Sequence, residues 1–215
     1  MLHSGWSLRF LDYDNDNWKD LLIAQGHDLD IIEKTNPQLR YREPMMLVRN
    51  TGANFVDVSP ISGDIFHEAW VGRGMAIGDI NNDGLIDAVV TTNGGPAHIL
   101  LNQTLTTGHW MTLHLTGHKS NRDGLGAVVE LKTASATQWA TVTTSGGYMS
   151  ASDPRVHFGM GESPEAACIE IHWPSGIVQT LTDVKGDRQI QVDELATVDS
   201  SRRSAQSKSC DASVP

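Results

Sequence analysis

The chain has 215 residues, of which 39% are hydrophobic and 20% charged, a composition typical of globular proteins with one or two domains. Its formal net charge of −10 argues against nucleic acid as a partner, because phosphate backbones repel an acidic chain. No apolar run approaches the ~20 residues of a membrane span, and 20 glycines favour short strands joined by tight turns.

The N-terminal sequence MLHSGWSLRF lacks the basic start, apolar stretch and cleavage site of a signal peptide, so we expect the chain to begin within a fold. It leads directly into an acidic loop, Asp12–Asp20, and a second loop of the same kind spans Asp79–Asp87. A short apolar run typical of a strand follows each loop, starting at Leu21 and at Ala88. The loops start 67 residues apart, which indicates weak internal repetition at the length of a propeller blade.

Two further strand signals lie in the same region, residues 1–105. The segment Met46–Ser59 contains an apolar run, a turn around Thr51–Ala53 and a second run with Phe55, which predicts a β-hairpin. After the second acidic loop, Ala97–Gln103 predicts another strand.

Both acidic loops place oxygen-bearing side chains at their first, third, fifth and ninth positions. Calcium takes about six to eight hard oxygen ligands, and alternating carboxylates in a tight loop can surround one ion. The backbone carbonyl of the seventh residue adds a further ligand. The predicted ligands of the two calcium ions are Asp12, Asp14, Asp16, Asp20 and the Trp18 carbonyl in the first loop, and Asp79, Asn81, Asp83, Asp87 and the Leu85 carbonyl in the second.

The sixth loop position is Asn17 in one loop and Gly84 in the other, and both residue types tolerate a left-handed backbone. We expect Lys19 to point outward, leaving the carboxylates to repel one another without a cation. An EF-hand needs helices and a Glu at the twelfth position, where Ile23 and Val90 stand, so the loops are not EF-hands. A pair of solvated Asp/Asn turns is the alternative.

The second region, residues 106–196, alternates apolar and polar side chains with the period of two that is typical of half-buried strands. In the run from His109 to Thr116, Met111, Leu113 and Leu115 are expected to point inward and Thr112 outward. The other alternating runs are Ala127–Thr133, Cys168–Trp173 and Arg188–Glu194. The pattern predicts a small antiparallel β-sandwich or barrel. The polar residues 197–215 predict a disordered tail.

The cysteines and tryptophans leave alternatives open. Cys168 lies in an apolar run and Cys210 in the polar tail, so either Cys168 is a small core residue or the two form a disulfide. Exposed tryptophan rings can bind carbohydrate, and Trp18 and Trp139 are the candidates for such a platform. Packing of these rings in the protein is the other interpretation.

Two sets of motifs carry a resemblance to known families. Leu8–Gly26 and Gly72–Gly95 resemble FG-GAP/VCBS repeats, which form blades of β-propellers and hold calcium in DxDxDGxxD loops. The second region resembles the ASPIC/UnbV domain through the motifs Lys119–Ala127, Ser145–Tyr148, Ser152–Gly159 and Ile171–Gly176. The resemblance implies an all-β protein with partial propeller blades and a small β-domain, the same calcium ligands, and an extracellular or periplasmic location.

The number of loops departs from the family's pattern, because two blades cannot close a propeller ring and leave exposed edges. We therefore interpret the chain as the C-terminal part of a larger family member. Residues 1–60 would contact the remaining blades or another copy of the chain.

No GxSxG, HExxH, P-loop or Rossmann motif is present, and a non-enzymatic role in binding, adhesion or structure, with a protein or carbohydrate partner, is the leading interpretation. The alternative implied by the family is an enzyme or accessory protein of a biosynthetic pathway, of the enediyne type, with structural calcium. Arg122, Asp123, Arg155 and His157 are the candidate anion or ligand residues. A deep pocket grouping them would favour this alternative.

Overall fold

The computed structural model describes residues 3–105 and 108–195, and these fold into β-strands with one short α-helix, Ile32–Thr35, and two short 3-10 helices, Ser59–Ile61 and Asp64–His67. The predicted all-β class is therefore confirmed. The tail that the sequence predicts to be disordered, residues 197–215, lies outside the described residues. Within the described residues, no helix is long and apolar enough to cross a membrane.

The chain divides into two compact units, and each takes a short segment from the other's part of the sequence. Of the described residues, the first unit contains 3–13, 18–104 and 145–153, and the second contains 14–17, 105, 108–144 and 154–195. The two segments that lie in the other unit's part of the sequence are thus the tip of the first acidic loop and the Ser145–Asp153 stretch.

The described part of the first unit contains nine strands in three sheets. They are β1 (Gly5–Leu11), β2 (Asp20–Gln25), β3 (Glu43–Pro44), β4 (Met46–Asn50), β5 (Phe55–Asp57), β6 (Ala69–Trp70), β7 (Gly72–Gly78), β8 (Asp87–Thr92) and β9 (His98–Leu100). The first sheet has the order β1-β2-β4-β5, the second β7-β8-β9, and β3 pairs with β6. Each pairing in these sheets is antiparallel. The predicted hairpin is β4–β5, closed by the Thr51 amide donating to the Asn54 carbonyl at 2.9 Å.

The internal repeat is visible in the strand bounds. Strands β1 and β7 have seven residues each and β2 and β8 six each, and both pairs start 67 residues apart. The acidic loops connect the two strands of each pair. In each sheet, an asparagine at or just after the third strand contacts the acidic loop of that sheet. It is Asn50, the last residue of β4, in the first sheet and Asn102, just after β9, in the second. The sequence repeat is therefore also a structural repeat of sheet and loop.

One core joins the two repeats. Alternation on β1, β2 and β4 turns Leu11, Leu22, Ala24 and Leu47 to one face of the first sheet, where all four are buried. They share a hydrophobic cluster with one face of the second sheet. The buried members contributed by that sheet are Met75, Ala88 and Val90.

The Ser145–Asp153 segment completes this unit along the edge of β7. The Ile77 amide donates to the Ser152 hydroxyl at 3.1 Å, and the Asp153 amide donates to the Ile77 carbonyl at 3.1 Å. A β-carbon on Gly78 would lie 2.7 Å from the Asp153 side chain, so only glycine fits there without a shift of the segment. This close approach explains why a stretch far away in sequence belongs to the first unit.

Within the residues that the structure describes, the second unit contains seven strands in two sheets. They are β10 (His109–Thr116), β11 (Val128–Lys132), β12 (Thr137–Thr141), β13 (Val156–Gly161), β14 (Glu165–His172), β15 (Val178–Lys185) and β16 (Arg188–Asp193). The sheets have the orders β13-β10-β16 and β12-β11-β14-β15. All pairings are antiparallel except β10–β16, which is parallel, so the expectation of purely antiparallel strands is wrong at that pair.

The core of the second unit contains the apolar residues that alternation predicts. Met111, Leu113 and Leu115 are buried, together with residues of both sheets such as Phe158 and Ile171. Thr112, predicted to face outward into solvent, is also buried, and its hydroxyl lies 3.0 Å from a ring nitrogen of His157. The sheet that contains β10 is therefore covered on both faces at this point.

Cys168 is buried and disulfide-bonded, which decides between the two alternatives for its thiol. Cys210, the other cysteine of the chain, lies outside the described residues.

Candidate metal centre

The two acidic loops share one backbone path. In both, the fourth and sixth residues have positive φ angles, 57° and 79° at Asn15 and Asn17, and 60° and 87° at Asn82 and Gly84. Asn and Gly are the residue types that adopt this conformation at least cost. The prediction for the sixth position is confirmed, and the asparagine at the fourth position is a second signal of the same kind.

In the first loop, three carboxylates converge. Asp12, Asp14 and Asp20 each offer one oxygen, and these oxygens lie within 4.8 Å of one another. The three residues are only 1%, 9% and 0% exposed. Among the described residues, these three aspartates form the one group of three or more Asp, Glu, His or Cys side chains whose ligand atoms lie close enough together to hold a metal ion. Asp16, predicted as a fourth ligand, is not a member of the group.

The ninth residue of each loop ties the loop to the third strand of its own sheet. The two carboxylate oxygens of Asp20 accept the amides of Tyr13, at 3.2 Å, and of Asn50, at 2.8 Å. In the second loop Asp87 accepts the equivalent amides, of Ile80 and of Asn102, both at 2.8 Å. These buried carboxylates thus hold the backbone that shapes each loop.

The side chains of Asn50 and Asn102 also donate hydrogen bonds to the acidic loops. The Asn50 amide group donates to the Lys19 carbonyl at 3.2 Å, and that of Asn102 donates to the Ile86 carbonyl at 3.3 Å. Asn102 also donates to the Tyr13 carbonyl, in the first loop, at 2.7 Å. The Asn102 side chain therefore joins both loops. Sequence reasoning did not identify it, although an asparagine after a strand in both repeats was a usable signal.

The second loop is organised around Asp79. Its carboxylate accepts the amides of Asp83, at 3.1 Å, and Gly84, at 2.9 Å. Burial raises the pKa of Asp79 and the nearby Asp83 charge adds to this, while the donated amides lower it. The Asn81 side chain donates to Asp83 at 2.7 Å, and both of these residues are exposed. The predicted ligands at positions three and five therefore lie at the surface of this loop.

Lys19, which we expected to point outward into solvent, is partly buried. Burial lowers the pKa of Lys19, and the Asp12 and Asp20 charges act in the opposite direction. The positive charge of Lys19 and the negative charges of these two carboxylates therefore favour each other. A bound cation would have to share the loop with this positive charge.

The tip of the first loop is held within the second unit. The Gly161 amide donates to the Asn15 carbonyl at 3.0 Å, and His157 Nε2 lies 2.9 Å from the Asn15 side-chain oxygen. The other ring nitrogen of His157 bonds Thr112, and the Trp110 ring lies parallel to the imidazole at 6.1 Å. His157, predicted as a ligand or anion residue, thus contacts the loop tip.

The other predicted ligand residues have separate surroundings. Arg122 and Asp123 are exposed in the turn where the Gly117 amide donates to the Arg122 carbonyl at 2.9 Å. Arg155 donates to the Gln189 side chain at 3.0 Å. Arg122 and Asp123 therefore lie in a turn after β10, and Arg155 lies directly before β13.

The tryptophans predicted as carbohydrate platforms are both partly exposed. Trp139 is 58% exposed on β12, with its ring 6.4 Å from that of His172. Trp18 is half exposed, and a β-carbon on Gly52 would lie 2.8 Å from its ring, so Trp18 packs closely on the turn of the β4–β5 hairpin. The packing interpretation therefore accounts for Trp18.

A buried carboxylate that sequence reasoning missed is Glu194, which is 2% exposed. One of its oxygens accepts three consecutive amides, of His118, Lys119 and Ser120, at 2.7–2.8 Å. The other accepts the hydroxyls of Ser120 and Ser175. Burial raises the pKa of Glu194, but these hydrogen bonds outweigh burial and lower it to about 2. The ionised Glu194 carboxylate therefore holds the backbone of the turn after β10 in place.

Comparisons with known proteins match parts of the chain. Residues 117–199 match the family described as ASPIC and UnbV. The chain is also 26% identical over 129 residues to "Cartilage acidic protein 1" of Xenopus tropicalis. That match covers 58% of this chain and 20% of the relative, so the chain spans only a small part of the relative's length.

Proposed function

We propose that this protein is a calcium-binding, non-enzymatic β-repeat module with a role in binding, adhesion or structure outside the cytoplasm. The observation that supports it is the convergence of Asp12, Asp14 and Asp20 in the first acidic loop. The matching backbone of the second loop supports a second site. In this proposal the loops belong to repeats of the FG-GAP/VCBS type, and the strand bounds repeated at 67 residues favour that assignment.

The residues present fit calcium better than other biological cations. All of the candidate donors are oxygens, from carboxylates, an amide and backbone carbonyls, and histidine and cysteine are absent from both loops. A nine-residue loop with two left-handed turns leaves room for the irregular, crowded shell that calcium accepts. Magnesium prefers a stricter octahedron with retained waters, which a set of converging carboxylates does not favour.

The proposed location rests on two observations. Cys168 is disulfide-bonded, and disulfides persist chiefly in oxidising compartments. The matched relative carries cartilage in its name. Calcium is also abundant outside cells, where a site of modest affinity stays loaded.

Calcium titration by calorimetry tests the proposal. We expect two sites, with Asp14→Ala removing the first and Asp83→Ala the second. Saturating calcium should raise the free energy of unfolding by about 2.7 kcal/mol per site at a concentration of one hundred times Kd. Asp30→Ala, which removes an exposed carboxylate outside both loops, is the matched control and should keep both sites.

Two results would overturn the proposal. One is an unfolding midpoint that does not differ between EDTA and millimolar calcium. The other is a heat of binding that survives in the double variant with both Asp14→Ala and Asp83→Ala, because the ion would then bind elsewhere.

A further inference from the structure

A cavity of about 650 Å³ lies in the first unit, where the inner faces of its two larger sheets meet. Leu22 and Leu47, which are cross-strand partners in the first sheet, line one side of it. Ala88 and Leu100, which are cross-strand partners in the second sheet, line the other side. The volume falls within the range of about 300–1,000 Å³ that is usual for small-molecule sites.

A third wall of the cavity comes from the stretch of the two 3-10 helices, residues 58–66. Ile65 and Phe66 of this stretch pack against the core that the two sheets share. The stretch is held to the first sheet near its start, where the Leu47 amide donates to the Ser59 hydroxyl at 2.8 Å. The three walls enclose a concave space, which is the usual shape of a small-molecule site.

The lining is apolar from the closed end of the cavity to its mouth. Leu22, Leu47 and Ala88 are buried, so they form the closed end. Ile61 and Leu101 are 86% and 50% exposed, so they lie at the mouth. An apolar occupant would remove these two side chains from water, and burial of apolar surface is the main favourable term in such binding.

Three polar side chains in the lining are engaged within the protein. The Asn102 side chain donates to two backbone carbonyls, and its oxygen accepts the Thr104 amide and hydroxyl. The Ser62 hydroxyl donates to the Val58 carbonyl at 2.7 Å. A polar group of a ligand beside these residues would lose water without gaining their hydrogen bonds, which makes its burial unfavourable.

The charged side chains of the lining balance each other. Among the described residues that line the cavity, Arg49 and Asp64 carry charge, and their signs are opposite. An anionic ligand would be attracted by one and repelled by the other, and the same holds for a cationic ligand. The cavity therefore favours ligands without a net charge.

We propose that this cavity binds an uncharged, largely hydrocarbon small molecule. Its apolar body would contact Leu22, Leu47 and Ala88 at the closed end and would cover Ile61 at the mouth. None of the predicted calcium ligands lines the cavity, so this site and the proposed calcium sites are tested separately.

Two dyes with the same ring skeleton test the preference for an uncharged ligand. N-phenylnaphthylamine is uncharged, and anilinonaphthalene sulfonate adds one negative charge to that skeleton. We expect the uncharged dye to bind the native chain saturably, with a Kd about tenfold or more below that of the sulfonate, because burial of the sulfonate charge is unfavourable. No saturable binding of the uncharged dye, or equal or tighter binding of the sulfonate, would overturn the proposal.

A variant at the closed end locates the bound dye. Ala88→Leu fills part of the cavity, so it should weaken binding of the uncharged dye about tenfold, as the displaced apolar contacts are lost. Val89→Leu adds the same volume on the opposite face of the same strand and is the matched control, which should keep the affinity of the unaltered chain. Equal affinities in the two variants would contradict binding in the cavity.

A variant at the mouth tests the site without changing the packed core. Ile61→Cys replaces an exposed side chain, and Cys168 is disulfide-bonded and does not compete for a maleimide. Saturating uncharged dye should slow labelling of this cysteine about threefold or more, because the bound dye must leave before the thiol can react. Ile99→Cys, at a position that is 65% exposed and outside the cavity lining, should be labelled at an unchanged rate.

Two labelling results would overturn the proposal. One is equal labelling of Ile61→Cys with and without the dye. The other is protection of Ile61→Cys that grows with protein concentration in the absence of dye, because a second copy of the chain would then cover the mouth.

Discussion

The backbone amide of Asn102 donates to one carboxylate oxygen of Asp87 at 2.8 Å, and Asn50 and Asp20 make the same bond at the same distance in the first repeat. The bond connects the last residue of each acidic loop to the end of the third strand, at Asn50, or to the chain just after it, at Asn102. Each loop is therefore closed by two contacts, one with its own start and one with a strand 15 or 30 residues later. The loop geometry depends on the sheet as well as on the loop sequence.

Asn102 should contribute more stability than Asn50. Asn102→Ala removes the bonds to the Tyr13 and Ile86 carbonyls and the acceptor for the Thr104 amide, at 2.7, 3.3 and 3.0 Å. We expect the free energy of unfolding to fall by about 2 kcal/mol in urea titrations with an unchanged m-value, since partly buried partners lose their bonds.

The matched variant Asn50→Ala removes one loop bond, to the Lys19 carbonyl, and a local acceptor for Gly52. Its expected cost is about 1 kcal/mol. Equal losses in the two variants would show that the bond from Asn102 to the first loop contributes nothing measurable.

Lys19 should weaken calcium binding in the first loop. Burial lowers its pKa, but the Asp12 and Asp20 charges favour the ammonium form, so the group competes with a cation. Lys19→Gln should tighten calcium binding about fivefold or more, because it removes a positive charge that repels the ion, and roughly 1 kcal/mol of repulsion corresponds to about fivefold in Kd. The same variant should be less stable in EDTA. Lys34→Gln, in an exposed helix, should change neither quantity. Weaker calcium binding in Lys19→Gln would contradict this account.

The loops were predictable from the sequence because their determinants are local. Nine consecutive residues contain the carboxylates and the left-handed Asn or Gly positions, and their spacing predicts the loop. The third-strand contacts were not predictable in the same way. Asn50 and Asn102 lie outside both loops, and an asparagine after a strand is compatible with many turns.

The sixth loop position should tolerate asparagine and glycine but not alanine. Gly84 has a φ of 87°, and Asn17 occupies the equivalent position at 79°. Gly84→Ala should lower the free energy of unfolding by about 1–2 kcal/mol, because a β-carbon crowds the backbone there. Gly84→Asn should cost only a fraction of that, and Asn17→Gly should be close to neutral. Thermal or urea unfolding in EDTA measures all three, and an equal cost for alanine and asparagine would contradict the strain argument.

The disulfide at Cys168 should stabilise the second unit. Under denaturing conditions without reductant, thiol titration should find no free thiol at Cys168. Reduction should lower the free energy of unfolding by about 2–4 kcal/mol, the usual contribution of a native disulfide. The unfolding curves with and without reductant should therefore separate, and coincident curves would show that the bond is absent or contributes nothing.

The core residues of the second unit could be predicted from the sequence, but the pairing of its strands could not. The alternation of Met111, Leu113 and Leu115 specified which side of β10 is buried. The alternation did not indicate the direction of β16. This strand is the last of the unit in sequence, and it pairs with β10 in parallel. The exchange of the Ser145–Asp153 segment between units had no local signal either, because it depends on glycine at position 78 of another strand.

Glu194 follows directly on β16 and holds the turn after β10, so its ionisation should link stability to acid. Its carboxylate accepts three amides and two hydroxyls, and its pKa in the folded protein is about 2. A carboxyl whose pKa is lower in the folded than in the unfolded protein stabilises the fold fully above the unfolded pKa. This contribution is lost as pH falls from the ordinary glutamate pKa of 4.5 towards 2.

Glu194→Gln separates this contribution from the rest of the acid response. The variant should lose about 2 kcal/mol or more at neutral pH, because an amide leaves at least one of the amide and hydroxyl donors without an acceptor. Between pH 4.5 and 2 its stability should fall less steeply than that of the unaltered protein. Glu165→Gln, which removes a surface carboxylate paired with Lys185, is the matched control and should keep the steep fall. Parallel pH profiles for Glu194→Gln and the unaltered protein would show that Glu194 does not change its protonation on unfolding.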